Sequence, residues 1–306
     1  MTETADRERY EARVNRAIAL IDANLDRAPA LEALADAACL SPHHFHRVFR
    51  ALTGETVHGF TTRLRLERAL ALARSTPAPP WKQVAARCGY RSLPVFSRAF
   101  KRQYGVSPSA FDLEGFWAER PDRDAALAVS RYFLRPSPPA PEDFAVELVR
   151  RPAARLAVSR AWGGYVDPGA LIAAYERLMQ WAAREGLPTD GGRLAGASRD
   201  DPDLTPLSRC RYDFTLEIEP GVRPPTGLSL GERAEGWWAV HAVDGDMAAV
   251  DRAWTILFKS WLPAQGLPLR DAPAEEVYRR TPAEIGSERF DLLCCVPVRM
   301  VGEGRK

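Results

Sequence analysis

Over residues 1–112, apolar positions recur at helical spacing. Val14, Ile18, Ile21 and Leu25 form one such stripe, and Pro29 stops it. A short helix is predicted from Leu31 and another from Ser41, whose hydroxyl can cap it with Pro42 at the first helical position. A longer helix over about 57–74 ends before Pro77, Pro79 and Pro80, and 81–111 reads as short helical pieces. After Phe144 the period changes. "FAVELV", "RLAVSRA", "RYDFTLEIE", "GLSL", "WWAVHAV" and "FDLLCCVPV" read as strands, with amphipathic helices predicted over about 169–185 and 247–265.

Two internal repeats organise these elements. "LADAACLSPHHFHRVFRALTGETVHGF" and "VAARCGYRSLPVFSRAFKRQYGVSPSAF" share a scaffold that matches Ala35 with Ala85, Phe45 with Phe96, Arg47 with Arg98, Phe49 with Phe100, Gly54 with Gly105 and Phe60 with Phe111. A buried Ala, a tight turn and a second helix with a Phe-x-x-x-Phe stripe make helix-turn-helix logic, used twice. The other repeat keeps one constant offset: Trp181, Gly186, Leu187 and Pro188 match Trp261, Gly266, Leu267 and Pro268. Both late helices therefore end on a Gly cap followed by Pro. The expected fold is two-domain: an all-α domain with two helix-turn-helix motifs, then an α+β domain of two β-α-β-β repeats with a groove between their helices. The expected boundaries are 1–115, a Pro-rich linker over 116–143 containing "RPSPPAPED", and 144–301.

Charge sharpens this division. Residues 1–112 carry 17 Lys and Arg against 11 Asp and Glu, whereas 142–306 carry 21 against 25, so only the first half suits a polyanion. The charged start has no apolar core of a signal peptide, and no apolar run approaches the roughly 20 residues of a membrane span. Cys39, Cys88, Cys210, Cys294 and Cys295 lack metal-ligand spacing and read as buried thiols of a cytoplasmic protein. The cluster His43, His44 and His46 has the i, i+3 spacing of a metal pair but no third ligand one turn away, so neither a metal nor a cofactor is expected.

The motifs "AARCGYRSLPVFSRAFKRQYGVSPSAF", with a buried Ala, G-Y before a Ser, F-S-R-x-F-K and G-x-S-P-x-x-F, make residues 10–112 resemble the DNA-binding domain of the AraC/XylS transcription regulators. The resemblance implies two recognition helices tied by a central helix, lying in two adjacent major-groove segments of double-stranded DNA without needing a dimer. RNA polymerase is an implied further partner. Ser41, His43, His46, Arg47 and Arg50 fall on the first reading helix, and Ser92, Leu93, Pro94, Val95, Ser97, Arg98 and Lys101 on the second. Arg47 and Arg98 suit guanine or phosphate, imidazoles suit purine N7 or phosphate, and Leu93 and Val95 suit a thymine methyl. The competing reading makes the histidines a solvated face and Leu93 and Val95 residues that pack between the helices. His44 falls off the reading face. Cys39 departs from the Gly that the family favours in the turn, as Gly89 has it in the second motif.

Residues 142–300 resemble the GyrI-like (SHS2-type) effector-binding domain through "RYDFTLEIE", the W-A-V…A-W…W-L-P…G-L run over 238–267, and "EVY" followed by "DLLCCVPV". That resemblance implies a small lipophilic or cationic effector held by Glu276 beside Tyr278, with Trp162, Tyr165, Trp181, Tyr212, Trp238, Trp254 and Trp261 as wall candidates. Trp181 and Trp261, at matching repeat positions, read rather as helix-packing core, and a one-residue slip of the strand would put Glu275 in place of Glu276. "GWWAV" stands where the family has Gly-x-Tyr-Ala. The expected function is a ligand-controlled DNA-binding regulator, an activator, and not an enzyme. The alternatives are a hydrolase using Glu276 with Tyr278 or Tyr165, and a constitutive DNA binder.

Overall fold

The computed structural model describes residues 3–73, 78–112, 115–116, 140–141, 143–270, 272–286 and 288–300. The chain divides into two compact units, one made essentially of residues up to 121 and one of those beyond. The expected linker over 116–143 lies almost wholly outside the described residues.

The first unit consists of α1 (Glu3–Ala23), α2 (Leu31–Ala37), α3 (Pro42–Thr53), α4 (Val57–Ala73), α5 (Trp81–Arg87) and α6 (Leu93–Tyr104). Ser41 caps α3 by accepting from the His44 N–H at 3.4 Å, with Pro42 at the first position. Both α3 and α6 end on a left-handed glycine, Gly54 and Gly105. Each buries a phenylalanine pair completely, Phe45 with Phe49 and Phe96 with Phe100. The duplication extends to packing. Phe60 meets Phe49 edge-on at 5.3 Å, and Phe111 meets Phe100 edge-on at 5.5 Å.

The two turns differ in one respect. Cys39 takes φ 52° where the second motif has Gly89 at φ 77°, a conformation that costs a side-chain-bearing residue about 1 kcal/mol or more. From α1, Arg13 Nη1 donates to the Cys39 carbonyl at 3.3 Å and Arg16 Nε to the Ala37 carbonyl at 3.0 Å, which fixes this turn. The Cys39 thiol is exposed and the other four are buried, which corrects the expectation that all five are inside. Within α4 the buried Arg63 is clamped between Glu55 (3.0 Å) and Glu67 (3.1 Å), tying the end of the first motif to the central helix.

The second unit is a single eight-stranded sheet of β1 (Glu147–Arg151), β2 (Ala154–Trp162), β3 (Leu194–Ser198), β4 (Arg211–Ile218), β5 (Ser229–Arg233), β6 (Gly236–Gly245), β7 (Glu275–Arg280) and β8 (Phe290–Val298). Its order is β1-β6-β8-β7-β3-β4-β2-β5, symmetric about the β7–β3 seam. Each repeat has one strand more than expected: β1 pairs with β6 of the second repeat, and β5 lies beside β2 of the first. The short strand β3, "LAGAS", carries small residues and left no pattern in the sequence. The helices are α7 (Pro168–Arg184) and α8 (Met247–Ile256), the latter continuing through a π-helical turn, Leu257–Trp261, and a last turn, Leu262–Gln265. Gly186 and Gly266, the matching caps, are both left-handed.

At the seam the same offset that matches Trp181 with Trp261 maps Gly196 onto Glu276, and those two residues are also register partners. The pseudo-twofold axis therefore passes through that pair. Among the described residues no helix is long and apolar enough to cross a membrane.

Candidate functional site

On the side of α3 away from Phe45 and Phe49, Ser41, His43, Arg47 and Arg50 are exposed and His46 is half-buried. His44 leaves this set, its ring packing against Tyr10 at 5.6 Å. On α6 the residues Ser92, Leu93, Pro94, Val95, Arg98 and Lys101 are exposed and Ser97 is half-buried. Leu93 (37%) and Val95 (36%) keep over a third of their surface accessible, so the packing reading of Val95 is not what the structure shows. Ser92 lies at the α6 N-cap position without a side-chain capping bond, unlike Ser41.

In the second unit, both helices lie on one face of the sheet. Tyr175 of α7 packs on Phe214 of β4 at 5.6 Å, and Arg177 donates to Ser159 of β2 at 3.2 Å. From α8, the Trp254 indole N–H donates to Glu276 Oε1 at 3.0 Å. With α7 over β2 and β4 and α8 over β6 and β8, the central strands β7 and β3 form the floor of the groove between the helices.

Glu276 occupies that floor. Tyr212 of β4 donates to its Oε2 at 2.6 Å, so two neutral donors, one from each repeat, hold the carboxylate. Gly196 makes this reach possible. A Cβ at Gly196 would overlap the Tyr212 hydroxyl oxygen. Around the carboxylate, Phe258 stacks on Trp254 at 5.7 Å, Phe214 meets Tyr212 at 5.1 Å, and Tyr165 donates to Ser198 at 2.9 Å. Tyr278 and Cys294 share the face: Tyr278 lies two positions along β7, and Cys294 is the β8 register partner of Glu276.

Burial pushes the Glu276 carboxyl above its ordinary range, the Tyr212 and Trp254 hydrogen bonds pull it back, and the charge of Asp251, one turn before Trp254, raises it further. Burial likewise drives the Tyr212, Tyr165 and Tyr278 phenols upward, with the Glu276 charge adding to each. These tyrosines are therefore neutral donors at physiological pH. The Cys294 thiol is held protonated by burial and by the same charge.

Two wall candidates lie elsewhere. Trp238 is 1% exposed in a core cluster with Ala195, Val277 and Cys295, where guanidinium groups of Arg151 (4.8 Å) and Arg270 (5.3 Å) cover its ring. Strand alternation puts that cluster on the opposite face from Glu276. Trp162 alternates with Ala161, the partner of Tyr212, and so also leaves the groove face. Trp181 is core at 3% exposed, whereas Trp261 is half-buried. The register decides between the two acids: Glu275 faces away, paired with Arg151 at 2.7 Å. Gly196, Ser198, Asp251, Phe258 and Cys294 escaped the sequence reading. Gly196 alone left a signal, standing at the repeat offset from Glu276. Among the described residues, no group of three His, Cys, Asp or Glu could hold a metal.

Residues 34–113 match the family described as a helix-turn-helix domain, and residues 144–299, half of the chain, match the GyrI-like small molecule binding domain. The chain belongs to the GyrI-like family and carries an AraC-type helix-turn-helix domain. The AraC-type domain is similar to the transcriptional activator RhaS of Escherichia fergusonii, 33% identical over 39% of this chain and 40% of that protein. The Escherichia coli K12 protein YgiV is 26% identical over 43% of this chain and 84% of its own length. The chain spans only about two fifths or less of the regulators first matched, 36% of LumQ of Photobacterium leiognathi and 40% of RhaS. Similar solved structures include the DNA-binding domain of AdpA in complex with a target DNA (32% identity, TM-score 0.31, 35% of this chain and 96% of that one). Another is SAV2435 bound to tetraphenylphosphonium (15% identity, TM-score 0.36, 51% of this chain and 94% of that one). Helices α3 and α6 both lie within the matched helix-turn-helix domain, and the Glu276 groove lies within the GyrI-like domain.

Proposed function

We propose that this chain is a one-component transcription activator controlled by a lipophilic cation bound over Glu276. The observation that carries the reading is the Glu276 carboxylate itself. It is half-buried in the groove floor beside aromatic groups, and among the described residues its hydrogen-bond partners, Tyr212 and Trp254, are neutral. Neutral donors orient a negative charge but leave it uncompensated, and aromatic faces beside it attract a cation through their quadrupoles. A hydrophobic cation supplies both the missing charge and the apolar surface.

DNA would be held by His43, His46, Arg47 and Arg50 from α3 and by Ser92, Leu93, Pro94, Val95, Ser97, Arg98 and Lys101 from α6. One chain supplies both reading helices, which supports binding as a monomer to two adjacent major-groove segments. The ligand acts through its differential affinity for two arrangements of the protein, read out as DNA affinity or as contact with RNA polymerase. Activation, the role of the similar regulator RhaS, is the proposed sign.

Titrating tetraphenylphosphonium against intrinsic tryptophan fluorescence tests the pocket, since Trp254 touches Glu276 directly. Saturable quenching that disappears in Glu276→Gln is the expected result. No response in the wild type, or the same response in the variant, rejects the assignment.

A further inference from the structure

We infer that Arg65 is the positioning residue that sets the spacing between the two reading helices. This rests on the DNA-binding role of the AraC-type domain and adds to it a part that touches no base. Arg65 lies half-buried on α4, the helix that joins the two motifs. Its Nε donates to the Leu25 carbonyl at 2.5 Å, in the short 3-10 turn Leu25–Arg27 that follows α1. The same guanidinium lies over the Tyr90 ring, 5.8 Å from its centre. Tyr90 belongs to the turn of the second motif and packs edge-on at 5.3 Å against Phe96, the anchor of α6. One planar group thus connects the turn that leads into the first motif to the root of the second reading helix.

Gly89 makes the joint possible. A Cβ at Gly89 would overlap the Asp26 carbonyl oxygen and lie 2.7 Å from an Arg65 guanidinium nitrogen. The 3-10 turn after α1, the guanidinium and the second turn therefore meet at one point that only a residue without a side chain leaves open. Among the described residues the first turn shows no such joint. Cys39 is instead backed by Arg13 and Arg16 of the preceding helix α1. That difference explains why the first turn accepts a side chain at a left-handed position and the second requires glycine.

Two helices reading successive major-groove segments must stand about 34 Å apart along the DNA. A change in the joint tilts one against the other and loses base contacts without removing any contacting residue. Lysine in place of Arg65 keeps the charge, but a point ammonium cannot both donate to the Leu25 carbonyl and hold its charge over the Tyr90 ring.

The test begins with selection of a preferred site from a random duplex pool by the wild-type chain. Affinities are then measured for that site and for versions with one base pair inserted or deleted between its halves. For Arg65→Lys and Arg65→Gln, affinity for the original site should fall about tenfold, comparable to one lost base contact, and the penalty for altered spacing should shrink to a few-fold. Tyr90→Leu, which removes the ring without touching charge, should relax spacing in the same way and covers the case in which an Arg65 variant fails to fold. Unchanged affinity and spacing penalty in folded variants overturn the inference. So does full recovery by Arg65→Lys with a uniform loss in Arg65→Gln, which marks a phosphate contact instead. Failure of the wild type to select any sequence would reject the DNA-binding reading itself, a separate outcome.

Discussion

The Tyr212 hydroxyl reaches across β3 to donate to Glu276 at 2.6 Å, through the space that Gly196 leaves empty. The Gly196–Glu276 pair lies on the pseudo-twofold axis, yet the surroundings of the carboxylate are asymmetric. The first repeat supplies the phenol and the second supplies the indole.

Glu276→Gln should abolish cation binding and stabilise the ligand-free domain. Burial is the main cause that raises this carboxyl's pKa, so folding disfavours its ionised form. The group's stabilising contribution is complete below the unfolded carboxylate value and is lost as pH rises through the raised folded value. Glutamine avoids that loss, so thermal unfolding at pH 7 should show a higher midpoint for the variant, with the difference closing in acid. Cation affinity in the wild type runs the other way, falling as pH drops through the same titration. A midpoint unchanged at neutral pH would show that the carboxylate carries no such burden.

Gly196→Ala should break the site without altering either reading helix. The added methyl collides with the Tyr212 hydroxyl, and relief of such overpacking costs about 1–3 kcal/mol. Fluorescence titration should show weakened cation binding while DNA affinity in the absence of cation stays at the wild-type level. Equal cation affinity in the variant would remove Tyr212 from the site.

His43→Ala combined with Arg47→Ala should eliminate discrimination between a selected DNA site and random duplex while leaving the circular dichroism spectrum intact, because both side chains are exposed. A bidentate arginine–guanine contact contributes about 1–3 kcal/mol of base discrimination. Residual non-specific binding should still fall steeply with salt. Retained specificity in the double variant would take α3 out of the reading role.

Arg63→Ala should destabilise the AraC-type domain by about 3–5 kcal/mol, since it leaves Glu55 and Glu67 crowded together without their shared cation. The checking measurement is chemical denaturation of the full chain followed by α-helical signal. A loss under about 1 kcal/mol, the usual range of surface pairs, would show that the cluster is solvated.

Much of this was legible in the sequence because it repeats. The Phe-x-x-x-Phe stripes exposed the two motifs, and the shared W-x-x-x-x-G-L-P endings exposed the second duplication, down to the caps Gly186 and Gly266. Short-range signals also held, such as Ser41 and Pro42 opening α3. What stayed hidden depends on which face of a strand a side chain takes. Trp238 and Glu275 look like site residues by type, but alternation turns both away from the groove. Gly196 contributes by lacking a side chain, and Arg65 through contacts to Leu25 and Tyr90, both far from it in sequence, which no local pattern records. The exchange of β1 and β5 between repeats is likewise a long-range pairing without a local signature.

The most direct test couples the two domains in one assay. DNA affinity and transcription in vitro are measured on a promoter carrying the selected site, with and without saturating phosphonium cation, for wild type and Glu276→Gln. The expected result is a cation-dependent rise in transcription or a shift in affinity in the wild type, with none in the variant. Identical DNA binding and transcription with and without a demonstrably bound cation would contradict the account.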